Sequence, residues 1–122
     1  MNLLNDVNLD NIAFGKDGKS VRLSFIDMYE GDSLGELECS SVYSFDYQNC
    51  FKDDDSLAAY VGEVNYKVIH ASEVSDYLKN SGYVFSCDEI FSSNLFVIAA
   101  EGGEVSLKVI CGVASFKGEK LK

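Results

Sequence analysis

The strongest regularity along the chain has a period of two. In "SVRLSF", Val21, Leu23 and Phe25 alternate with Ser20, Arg22 and Ser24, the pattern of a strand with one buried face. Asp17-Gly18 just before it is a hairpin signal, joining this strand to another near Asn11–Phe14. "ELECSSVYSFDYQ" places Leu37, Cys39, Ser41, Tyr43, Phe45 and Tyr47 against Glu36, Glu38, Ser40, Ser44 and Asp46, a long antiparallel strand with one wet, acidic face. In "YVGEVNYKVIH", Tyr60, Val64, Tyr66 and Val68 oppose Glu63, Asn65 and Lys67. "YVFSC" reads as a short strand, and the apolar arms on either side of Gly102-Gly103 as a hairpin. The period changes to a helical one once: Val74, Tyr77 and Leu78 form a stripe, with Ser72 as cap, Glu73 and Asp76 at the positive end, Lys79 in the last turn and Gly82 as the stop. Leu3, Leu4 and Val7 are compatible with a second, short helix. The pattern predicts an α+β fold, a predominantly antiparallel, hairpin-rich β-sheet of six or seven strands, with one clear helix near residues 72–81. The apolar faces need a second layer, supplied either by a sheet curled around its helix or by two packed sheets.

Composition narrows the class. The 122 residues fit one domain, residues 1–122, long enough to close a single core without staples. No proline is present, so the turns must rest on Gly, Asn and Asp. Twenty acidic residues against ten basic give a net charge of −10, which argues against nucleic-acid binding and toward a cationic partner. The four cysteines (Cys39, Cys50, Cys87 and Cys111) form no C-x-x-C pair, and one His cannot complete a zinc set. The opening residues lack the basic and apolar regions of a signal peptide, and no run approaches membrane-spanning length. Reduced thiols, a cytoplasmic location, no membrane partner, no metal and no cofactor are the expectations.

Three stretches imitate catalytic or metal motifs. Gly31 to Gly35 satisfies G-x-S-x-G, and Gly31-Asp32-Ser33-Leu34 is similar to the first block of the GDSL esterases and lipases. A nucleophile elbow needs a strand-to-helix turn; Ser33 lies between two alternating strands, and the later blocks of that family are missing. The segment reads as a hairpin turn. His70 could be completed to a triad only by Ser33 and Glu63, and as a lone histidine at a strand end it reads as structural. Asp6, Asn8, Asp10 and Asp17 fall at calcium-loop positions, but Asn11 replaces the required Gly and the bidentate Glu is missing. No catalytic residue is assigned, and the chain is expected not to be an enzyme.

What accumulates is acid beside aromatic residues. Asp53, Asp54 and Asp55 form the densest charge run, and Glu36, Glu38, Asp46 and Glu63 extend it if their strands lie together; carboxylates interleaved with Tyr and Phe suit a basic protein surface. With "GELECSSVYSFDY", "YVGEV", "GYVF" and "AAEGGEVSLKVIC", the whole chain resembles the immunity proteins of bacterial contact-dependent inhibition and other polymorphic-toxin systems. That resemblance implies stoichiometric neutralisation of a cognate toxin domain, cationic and in some cases a nuclease, through these acidic residues. Two other classes stay open: a small-molecule- or metal-binding domain or small enzyme, with a tyrosine-lined pocket and Cys87 or His70 at its mouth, and a structural module that self-associates into a homo-oligomer through sheet edges.

Overall fold

The computed structural model describes residues 1–50, 59–85 and 91–122. Among the described residues there are seven strands: β1 (Asn2–Phe14), β2 (Val21–Asp27), β3 (Ser33–Asn49), β4 (Ala59–Ile69), β5 (Leu95–Glu101), β6 (Val105–Phe116) and β7 (Glu119–Lys120). A 3₁₀ turn (Ala71–Glu73) and helix α1 (Val74–Asn80) lie between β4 and β5. The fold is α+β and mostly antiparallel sheet, as the alternation predicts. Its order is β3-β2-β1-β4-β5-β6-β7, and β3 also pairs with β6. The first six strands therefore close into a barrel built from two meanders, β1-β2-β3 and β4-β5-β6. Closure removes the main sheet edges that an open sheet would expose.

Closure also supplies the second layer. Val7, Leu9, Val21, Leu23, Phe25, Leu37, Val64, Ile98 and Val109 are among the residues that fill the interior. The sheet packs on itself, and the helix sits outside. Val74 and Leu78 of α1 cover Leu95, Val97 and Ile110 on the outer face of β5 and β6. Burying two such side chains stabilises the docked helix by roughly 1.5–3 kcal/mol each. Ser72 makes no capping bond; it lies in the 3₁₀ turn, and α1 begins after Glu73. Gly82 has φ +81°, and the Tyr83 N–H closes on the Leu78 carbonyl at 3.1 Å, ending the helix as expected.

Two local expectations are corrected. The Leu3–Leu4–Val7 segment is strand, not helix: it forms the first half of β1, paired with β4. Tyr83–Phe85 is not strand, and the remainder of "YVFSC" lies outside the described residues. Among the described residues no helix is long and apolar enough to cross a membrane.

Candidate functional site

Of the predicted acidic residues, Glu36, Glu38, Asp46 and Glu63 are among those described. Asp53, Asp54 and Asp55 lie outside the described residues, as does Cys87. Glu36 and Glu38 project from β3 opposite Ser24 and Arg22 of β2. Arg22 Nη1 stands 3.8 Å from Glu36 Oε2, so the chain's arginine already offsets part of that charge. Asp46 lies farther along β3, opposite Lys108 of β6. Glu63 is on β4, which pairs with β1 and β5 and not with β3. Glu63 therefore lies on a strand that does not adjoin the one carrying Glu36, Glu38 and Asp46.

The barrel brings a different set together. Glu63 stands directly opposite Glu101 of β5 and Asn5 of β1, and directly opposed residues share a face. Val64 on the same strand is buried, so Glu63, Glu101 and Asn5 point outward. Asp6 joins them because its backbone is left-handed, φ +50°. That conformation breaks the alternation between Asn5 and Val7 and leaves the carboxylate exposed. Tyr60, at the start of β4, donates its hydroxyl to Asp6 Oδ1 at 2.5 Å. This bond to a carboxylate raises the Tyr60 hydroxyl above its ordinary value.

Tyr29 lies close enough to add to that effect. It sits in the β2–β3 turn with Met28, Glu30 and Asp32, and is 86% exposed. Asp27 holds the turn by accepting the Glu30 N–H at 2.9 Å. An outward tyrosine in an acidic turn thus lies near the Tyr60–Asp6 pair, and Glu63 opposite Glu101 lies farther along β4. Only Glu63 of this group is among the residues the sequence nominates. Asp6 is hidden in a segment with helical spacing, and Glu101 reads as part of a Gly-Gly turn. "DMYEGD" carried a usable signal, three acids around a tyrosine in a loop.

The motif residues are also placed. Ser33 opens β3 opposite Ile26, at the exit of the hairpin turn. His70 is exposed and caps the 3₁₀ turn through its backbone. Seven residues of extended chain at about 3.3 Å each separate it from Glu63, too far for a triad hydrogen bond. Asp6, Asn8 and Asp10 are spread along β1 instead of curling around an ion. Among the described residues no group of three or more His, Cys, Asp and Glu is arranged to hold a metal. Cys39 and Cys111 are buried in the barrel; the Cys111 thiol, with burial, pushes the Cys39 thiol up.

No curated protein matches the chain significantly. The chain is similar in fold to an uncharacterized protein from Neisseria gonorrhoeae known from a crystal structure, with TM-score 0.63, 20% identity, and coverage of 96% of this chain and 95% of that one. A protein-family model described only as "-like" matches residues 2–117, nearly the whole length, and the chain belongs to that family.

Proposed function

We propose that this is a non-enzymatic binding protein that acts at its surface, neutralising a cationic partner protein in the manner of an immunity protein, in the bacterial cytoplasm. One observation carries the reading: Tyr29 is 86% exposed in an acidic turn and lies near Tyr60, whose hydroxyl holds the outward carboxylate of Asp6. A large, stiff side chain exposed to this degree is an unusual surface feature, and tyrosine is favoured at the centres of protein interfaces because it buries much area at little entropic cost. The surrounding carboxylates draw in a basic partner and fix its orientation. The packed interior fits the same reading, because it leaves binding to the outside of the barrel.

The test is a pull-down with this protein as bait, using as prey the C-terminal domain of any large secreted protein encoded beside it. A one-to-one complex that forms faster at low salt than at high salt supports the proposal. Absence of a complex at both salts removes it.

A further inference from the structure

Lys67 and Lys108 reach one aromatic ring from strands that are not neighbours. Lys67 lies on β4 opposite Val97 of β5, and Lys108 on β6 opposite Ala99 of β5. Tyr77 of α1 overhangs them, its ring centroid 5.2 Å from Lys67 Nζ and 5.8 Å from Lys108 Nζ. Together they border a groove of about 480 Å³, with Val97 and Ala99 among its lining residues and Glu101 at its margin. Two of only ten basic residues meet here in a chain of net charge −10.

Their carboxylate partners are at hand and unused. Asp46 is the cross-strand neighbour of Lys108, and Glu101 lines the groove. Among the described residues, however, the ion pair formed is Arg22–Glu36, and neither lysine takes part in one. Both ammoniums sit over Tyr77 instead. A π face attracts a cation but accepts none of its three N–H groups in ordinary hydrogen bonds. Two positive heads are therefore held at one ring within reach of solvent, where an anion can take the place of water.

The geometry points to a site for a small organic anion, a carboxylate or phosphate carried on an apolar body. The head group accepts from Lys67 and Lys108, and the body lies on Val97 and Ala99 against Tyr77. The groove shares Glu101 with the protein-binding face, but small-molecule binding to it is read without any protein partner.

Titration of the ¹⁵N-labelled protein with phenyl phosphate, benzoate, inorganic phosphate and benzyl alcohol tests it. Saturable one-to-one shifts at Lys67, Tyr77, Ala99 and Lys108 are expected with phenyl phosphate or benzoate, the tighter of the two naming the head group. Inorganic phosphate binds more weakly, and benzyl alcohol does not saturate. Lys67→Met and Lys108→Met each weaken binding by about fivefold, whereas Lys79→Met on α1, outside the groove lining, leaves it unchanged. Non-saturating shifts spread over many lysines, or affinity that survives both groove substitutions, overturns the site. Inorganic phosphate binding as tightly as phenyl phosphate overturns the apolar part of the assignment.

Discussion

A Cβ on Gly62 would lie 2.7 Å from the Gly102 carbonyl oxygen, and one on Gly103 would run into the Tyr60 carbonyl. At this crossing β4 passes against the β5–β6 turn, and the Glu104 N–H bonds to the Tyr60 carbonyl at 2.9 Å. Both obstructions are backbone, so the strain cannot be relieved by a rotamer. Gly62→Ala and Gly103→Ala should each cost about 1–3 kcal/mol in urea denaturation. Gly18→Ala has open space and only a positive φ (+72°) to contend with, and should cost about 1 kcal/mol. Tyr60 sits beside the same crossing and predicts a pH effect. Asp6 raises its pKa above 10.0, so the folded chain holds the proton more tightly than the unfolded one. The contact then supports the fold below about pH 10 and is lost as pH rises through the raised value. Ultraviolet titration should show the Tyr60 ionisation moving to lower pH on Asp6→Asn. The thiols divide by burial. In a Cys87→Ser background, Cys50, which is exposed, should react with a thiol reagent in the native protein, while the buried Cys39 and Cys111 wait for unfolding.

At the scale of elements, α1 contributes through a small contact. Leu78 is 1% exposed and packs on the outer face of the barrel with Val74. Leu78→Ala should destabilise the protein by about 2–5 kcal/mol, and exchange protection should fall first in residues 71–85. The alternation in β2 and the Val64–Val68 half of β4 was legible because those strands are regular. It misled where the backbone departs from period two. Asp6 at φ +50° and a register shift between Asn2 and Leu4 let Leu3, Leu4 and Val7 all face the core, and that spacing imitates a helix. Ser41 at φ +52° does the same in β3: it is exposed, Val42 takes its place toward the interior, and Tyr43 turns outward to Tyr83 and Phe91. A further shift between Val42 and Ser44 returns Phe45 to the barrel core. Tyr60 is likewise outside, with Val61 inside. Such bulges bend strands enough to close a small barrel, and nothing in a binary pattern marks them.

At the scale of the whole molecule, closure decides which charges meet. It rests on β3 pairing with β6, Leu37 with Phe116 through Asn49 with Val105, a contact between segments far apart in sequence. Without that pairing, Glu36, Glu38, Asp46 and Glu63 look like members of one acidic side. The β4–β5 pairing instead carries Glu63 to Glu101, and the β1–β4 pairing carries it to Asn5 beside Asp6, positions that local pattern cannot bring together. The net charge of −10 accelerates encounter with any basic partner, so a general field must be separated from a specific face. Glu63→Gln should slow association several-fold at low salt and flatten its salt dependence. Tyr29→Ala should act on dissociation instead, costing about 2 kcal/mol of affinity if it is the anchor. Glu36→Gln is the matched control, since it removes the same charge from a site that Arg22 already offsets. Stopped-flow association against the same partner compares all three. An equal effect from Glu36→Gln would assign the steering to total charge and take it away from the Asp6–Glu63–Glu101 face, whereas a smaller one places the encounter on the side of the barrel where Tyr29 stands.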